Sequence, residues 1–226
     1  MNAEYLLINI IILLGPLALS FDKRVHFYTY WPKLLPALLS VMIPFIIWDI
    51  VVTDRHWFFN EAYTLPIRFF NLPIGEWLFF ITVPYACIFT WEVLASYFSN
   101  QRFYFSHRWQ AALALLIMLS GAGFLIIGKE YTGIVSLVFG FLFILDILLR
   151  TKIFQQSRFY YFSALLFLMM FIFNGYLTAR PIVLYQAQYQ LDFRIITIPI
   201  EDFFYGFALV FLVLIIYEKL KGVHDE

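Results

Sequence analysis

Apolar residues in this chain come in long runs with few charges inside them. Seven runs predict helices at 3–20, 34–53, 75–98, 110–128, 131–150, 158–178 and 199–218, each boundary good to about three residues. Several approach or exceed the roughly 18–20 apolar residues needed to cross a hydrocarbon core. The tightest connection is "GKEYTG" (128–133), between the fourth and fifth runs. The first run, from Tyr5 to Leu19, has no basic segment before it and is followed by "SFDKR" rather than small residues. It is therefore read as a retained helix and not as a cleaved signal peptide.

Composition turns this pattern into a class. The 226 residues are 63% hydrophobic and 22% aromatic, with only 13% charged, far below the roughly 25% of a soluble domain. The expected fold is all-α: a polytopic bundle of seven transmembrane helices with almost the whole chain in the bilayer. With the N-terminus outside, inner loops hold Lys23, Arg24, Lys33, Arg102, Arg108, Arg150, Lys152, Arg158, Lys219 and Lys221. The outer side holds Arg55, Arg68, Lys129, Arg180 and Arg194, and ten against five favours N-out, C-in. A bacterial inner membrane is the expected location.

Charge and motif content exclude several functions. Net charge is zero and the basic residues are scattered, which argues against a nucleic-acid partner. Cys87 is the lone cysteine, so neither a disulfide framework nor a cysteine metal site can form within one chain. The stretch "SGAGFLIIG" fails the dinucleotide fingerprint at its third glycine, no phosphate-binding loop occurs, and the four histidines lack ligand spacing. No cofactor and no metal are expected. Lys219 lies at the far end of the last helix, which counts against a retinal Schiff base.

The informative feature is a repeat. Sliding the chain against itself by 126 residues without a gap pairs "LPIGEWLFF" (72–80) with "IPIEDFFYG" (198–206), and Glu92 with Glu218. The same punctuation at the same spacing in two apolar helices marks an internal duplication. Helices one to three (1–108) and five to seven (131–226) then form two units, and a linking helix (109–130) returns the chain so that both share one orientation. Parallel repeats of this kind are related by a pseudo-axis along the membrane normal. Both Pro-Ile-x-acid motifs fall at the outer interface, where they can meet.

Each motif alone has a plain structural reading: proline suits the first turn of a helix, and carboxylates there are favoured by the helix dipole. Glu92 and Glu218, about 24 Å further along their helices at 1.5 Å per residue, read as inner interfacial residues. Convergence changes the balance. Beside Glu76, Glu201 and Asp202, the outer half of the bundle holds Asp49, Asn174 and Thr178, the last two on one helix face. Acids in a membrane tend to face the bundle interior, and carboxylates crowded in a low-dielectric site cannot all ionise, so one is expected to hold its proton. Aromatic faces nearby offer cation stabilisation, although most aromatic residues in such a chain belong to the interfacial belts.

The stretch "NGYLTARPIVLYQAQYQLDFRIITIPIEDFFYGF" (174–207) closely resembles the second-half signature of the membrane-integral lycopene β-cyclases, known as two small subunits or one fused chain. "WDIVVTDRHWFFN" (48–60), followed by "LPIGEWLFF", resembles the first-half signature, and the resemblance extends over nearly the whole chain. It implies an isomerase that protonates the linear ψ end group of lycopene or another ψ-ended carotenoid, closes the ring through a tertiary cation, and loses a proton to give a β ring. Carried over by position, it implicates Glu201, Asp202 and Glu76 as catalytic. Asp49, Trp57, Asn60, Asn174 and Thr178 are implicated in support, with Pro73 and Pro199 in the motifs. Gly75-Glu76 stands where a double acid is expected, so the halves are expected to be unequal, with "PIED" the better suited to proton delivery. The alternatives are a carotenoid end-group hydratase and a non-enzymatic seven-helix carotenoid binder or transporter.

Overall fold

The computed structural model describes residues 3–222. Its seven helices are α1 (Glu4–Leu19), α2 (Trp31–Val52), α3 (Ile74–Tyr97), α4 (His107–Ile126), α5 (Glu130–Leu149), α6 (Ser157–Ala179) and α7 (Ile200–Lys221). Each boundary falls within three residues of its expected position. Six of the helices are long and apolar enough to span a membrane; α1, with 16 residues, is shorter. The chain is thus a multi-pass membrane protein. Pro16, Pro36, Pro44 and Pro84 lie inside helices, where neighbouring helices of a membrane bundle tolerate them.

Short strands, which the apolar pattern did not announce, organise one end of the bundle. They are β1 (Trp57–Phe59), β2 (Arg68–Phe69), β3 (Leu72–Pro73), β4 (Val183–Tyr185), β5 (Arg194–Ile195) and β6 (Ile198–Pro199). β2 pairs with β3, and β5 pairs with β6, as tight antiparallel hairpins running directly into α3 and α7. Pro73 and Pro199 make the junctions. Each is extended, at ψ 151° and 141°, and the ring's fixed φ suits both the strand end and the helix start. At the first hairpin tip Phe70 and Asn71 both adopt positive φ, 50° and 68°, the condition for a turn matching strand twist.

The 126-residue repeat is physical. β1 and β4 pair antiparallel with Phe58 opposite Leu184, residues 126 apart, so the pseudo-two-fold axis passes through that pair. Contacts on either side are exchanged between halves. The N–H of Asn60 donates to Ile182 O (2.9 Å), and that of Gln186 to His56 O (2.8 Å). Arg55 pairs with Glu130 and Arg180 with Glu4. At the opposite end, Trp91 Nε1 donates to Glu218 (2.8 Å) and Tyr217 OH to Glu92 (2.9 Å). Each half therefore completes the other.

Burial ranks the helices. Of the six long helices α7 is the most buried and α4 the least, so α7 is the central helix and α4 the peripheral one. Helix α4 lies along α5, and small residues permit the close approach: a Cβ on Gly121 would stand 2.9 Å from Gly133 O, and one on Gly140 3.0 Å from Ala114 O. Gln110 on α4 adds a hydrogen bond to Asp146 on α5 (2.8 Å). Helix α2 packs closely on α7, whereas its counterpart α6 approaches α3 and α7 more sparingly. A cavity opens along α6.

Candidate active site

The cavity, of about 380 Å³, runs between α1, α3, α6 and α7. Its lining on α3 extends from Glu76 to Thr90, about 21 Å at 1.5 Å per residue. Most of its wall is aliphatic, aromatic or thioether: Ile8, Ile12, Val83, Leu166, Met170 and Phe173 are representative. Polar groups gather at the hairpin end, where Asp49, Glu76, Asp202, Asn174 and four tyrosines (Tyr5, Tyr131, Tyr185 and Tyr205) line the space. Among the described residues no lysine, arginine or histidine lines the cavity. The helices that start here, α1, α3, α5 and α7, deliver Tyr5, Glu76, Tyr131 and Asp202 within their first turns.

In the first half Tyr5 OH donates to Glu76 Oε2. Asp49 lies within hydrogen-bonding reach of the Glu76 carboxyl and accepts from Tyr205 OH at 3.3 Å. Among the described residues its Oδ2 meets no hydroxyl or amide donor. Tyr5 is held in place from behind: Asn9 Nδ2 donates to Tyr5 O and Gly75 O, and its Oδ1 accepts from Thr82 Oγ1 (2.7 Å). Gly75 is needed for this arrangement, because a Cβ there would stand 2.7 Å from the Tyr5 ring.

In the second half Asp202 sits in a cradle of three donors. Tyr131 OH donates to Oδ1 (2.8 Å), while Tyr185 OH (2.6 Å) and Asn174 Nδ2 (3.1 Å) donate to Oδ2. Trp57 packs edge-on against Tyr131, with ring centroids 5.1 Å apart, and borders Tyr185 and Tyr205. Tyr185, on the hairpin-end connection, is pushed above the usual phenol range by burial and then by the nearby Asp202 charge. It acts here as a hydrogen-bond donor.

The structure brings together Glu76, Asp202, Asp49, Trp57 and Asn174 around one space. It places Glu201, Asn60 and Thr178 outside the cavity lining. Consecutive residues on a helix diverge by about 100°, so Glu201 faces away from Asp202. Its Oε1 accepts from Thr132 Oγ1 (2.6 Å) and Leu191 N (2.7 Å), tying α7 to α5 and the 186–193 connection. Asn60 caps a turn through Ala62 N (3.0 Å). Thr178, one turn beyond Asn174, meets Thr197 Oγ1 at 2.8 Å and so steadies the second hairpin.

Sequence reasoning missed the tyrosines, yet one signal was available. Tyr5 and Tyr131 are 126 apart, each preceded by glutamate, in the same ungapped register as the Pro-Ile motifs. Asp49 and Asn174 were harder to match, because they are 125 apart; Pro181 is the extra residue that restores the register before Ile182.

A model of the lycopene cyclase family matches the chain twice, over residues 2–94 and 128–220. No curated protein and no solved structure matches it. The two matched segments begin and end 126 residues apart, in the register that superimposes Tyr5 on Tyr131 and Glu76 on Asp202. With both halves of the cavity's carboxylate end inside the matched segments, the chain belongs to the lycopene cyclase family.

Proposed function

We propose that this chain is a lycopene β-cyclase, converting linear ψ end groups to β rings and so giving γ- or β-carotene. Glu76 and Asp202 exchange protons with the substrate. Asp49, Trp57 and Asn174 shape and tune the site, while Glu201, Asn60 and Thr178 position the elements that carry it. The observation that supports this most is the meeting of carboxylates from both halves at one end of a single apolar cavity. Protonation of the terminal double bond gives a tertiary cation, attack of an internal double bond closes the ring, and proton loss completes it. Substrate and product are isomers, so the chemistry needs an acid, a base and cation stabilisation. Carboxylates and aromatic faces offer the last of these.

One end of the polyene would lie along α3 with its end group among the tyrosines, at the outer interface if the N-terminus lies outside the inner membrane. The apolar walls favour cyclisation over hydration, because few groups beyond the carboxylate end can hold a water that would capture the cation. The test is expression in a lycopene-accumulating host, with chromatography of the pigments. Turnover in heavy water should leave one deuterium per new β ring, on the carbon next to the gem-dimethyl centre. A hydratase would leave an open, hydrated end. Unchanged, unlabelled lycopene would overturn the cyclase reading.

A further inference from the structure

Although the two halves are built alike, the carboxylates they contribute differ in what surrounds them. Asp49 and Glu76 stand within hydrogen-bonding reach of each other, and two carboxyl groups can hydrogen-bond only if one carries a proton. Asp49 is 1% exposed and Glu76 7%, so bulk water screens their charges little. Asp202, 4% exposed, receives three hydrogen bonds, where Glu76 and Asp49 each accept from one tyrosine hydroxyl. Donors converging on a carboxylate favour its ionised form. The pair is therefore the better store for a proton, and Asp202 the best supported of the three as an anion.

Resting on the cyclase reading, we propose that the two halves divide the proton chemistry: the Asp49–Glu76 pair gives the proton that starts the reaction, and Asp202 takes the proton that ends it. In the first step the O–H bond of the pair breaks, and the π electrons of the terminal double bond form the new C–H bond. The internal double bond then supplies the electrons for ring closure. Finally Asp202 removes a proton from the ring carbon beside the new cation, and the electrons of that C–H bond become the ring double bond. One proton enters, one leaves at a different carbon, and no electrons are gained or lost. The pair ends without its proton and Asp202 ends with one. Tyr131 on Asp202 and Tyr205 on Asp49 are neighbours, with ring centroids 6.2 Å apart, and stand on the route that restores the starting state.

The two roles fail differently. Without the donor, no cation forms. Without the acceptor, the cyclic cation still forms but loses its proton from another neighbouring carbon, giving an ε ring, or from the methyl group, giving a γ ring with an exocyclic double bond. In the lycopene-accumulating host, at matched membrane levels, Glu76→Gln and Asp49→Asn are expected to lose about a hundredfold or more of the activity. What remains should still be β. Asp202→Asn is expected to slow turnover by about tenfold or more and to shift most of the product to ε or γ rings. If Asp202→Asn does not accumulate in membranes, Tyr131→Phe with Tyr185→Phe, which thins the cradle but leaves the acid, decides the matter by the same product shift. A β-only product from the acceptor variants, or an altered ring type from Glu76→Gln, would overturn the division of roles. Absence of any cyclisation by the unaltered chain would instead overturn the functional reading on which it rests.

Discussion

Behind the shared Pro-Ile step, the first half places Gly75 where the second places Glu201. In the first half the missing side chain lets the Tyr5 ring lie against α3 and reach Glu76. In the second, a carboxylate at that position turns away from the cavity to hold Thr132 and Leu191, and Tyr131 reaches Asp202 all the same. The same backbone plan therefore yields two surroundings for the equivalent acid. In the repeat Phe59 takes the place of Tyr185, Phe79 that of Tyr205, and Asp49 that of Asn174. Each substitution moves a hydrogen-bond donor into the second half or an acid into the first. A double acid is not the device these halves have in common; a tyrosine from one helix start aimed at a carboxylate on another is.

Exchanging the residues behind Pro-Ile breaks the comparison most severely. Gly75→Glu would drive its Cβ into a buried ring, and a rigid aromatic cannot give way as a flexible chain end would. We expect overpacking of about 1–3 kcal/mol, displacement of Tyr5 from Glu76, and loss of cyclisation by about a hundredfold. Glu201→Gly leaves the cavity lining intact and should retain more activity, about a tenth of the original, while lowering thermal stability through its lost bonds to α5. Measured initial rates in membranes, with melting in detergent, would check both. A Gly75→Glu variant more active than Glu201→Gly would remove the argument that Tyr5 depends on glycine.

At the far end the halves exchange partners symmetrically, so the expectation is stability without a change in chemistry. Glu92 receives Tyr217 and a salt bridge from Lys221 at 2.7 Å, with side chains 5% and 10% exposed. Arg158 stacks on Trp91, its guanidinium carbon 3.8 Å from the ring centroid. Removing one partner from a buried ion pair typically costs about 3–5 kcal/mol. Glu92→Gln should accordingly melt at lower temperature while its ring type stays unchanged and its rate at low temperature stays within about threefold of the original. A changed product from a substitution so far from the tyrosines would mean that the cavity's chemistry reaches the opposite end.

Helix number, helix boundaries and the duplication were legible because each rests on local signals: long apolar runs, a proline that can start a helix, and a repeated spacing. The carboxylates Glu76 and Asp202 were legible for the same reason. What was not legible came from pairing across the pseudo-axis. The β1–β4 strands are three residues each and 126 residues apart, so neither carries a detectable period. The separation of Glu201 from Asp202 follows from helix geometry, but which of the two faces the cavity depends on where α5 and the 186–193 connection lie. The one-residue offset at Pro181 hid Asp49 and Asn174 from an ungapped comparison. Tyr205 and Tyr185 had only phenylalanine as counterparts, and nothing local distinguishes a cavity tyrosine from a belt tyrosine.

A milder difference between the halves lies outside the spans, at His56, whose counterpart is Ile182. The imidazole stacks on Tyr189 and its Nε2 lies 3.1 Å from Glu130. Burial holds it below the usual histidine range, against the opposing pull of Glu130. The unfolded chain then binds the proton first as pH falls, so folded-state stability is full above about pH 6.5 and declines below it. Melting temperature should fall between about pH 7 and pH 5, and His56→Gln should flatten that part of the profile. An unchanged slope would assign the acid sensitivity to other groups.

The smallest effect belongs to the exchanged surface pairs, and it tests the symmetry itself. Arg55 reaches Glu130, and Arg180 reaches Glu4; the arginine side chains are 49% and 48% exposed. Such pairs are screened by water and salt and contribute little, so Arg55→Gln or Arg180→Gln alone should lower the melting temperature by no more than about 2 °C. Their surroundings differ slightly. Glu130 keeps His56 when Arg55 is removed, and Glu4 keeps the hydroxyl of Tyr176 when Arg180 is removed. Because each bridge joins one half to the other and neither touches its counterpart, the two losses should add in the double variant. They should also shrink together as salt is raised, since both sites are exposed to the same screening. A double variant that loses far more than the sum would show that the bridges share one docking step between the halves, with either able to hold the interface while the other is open.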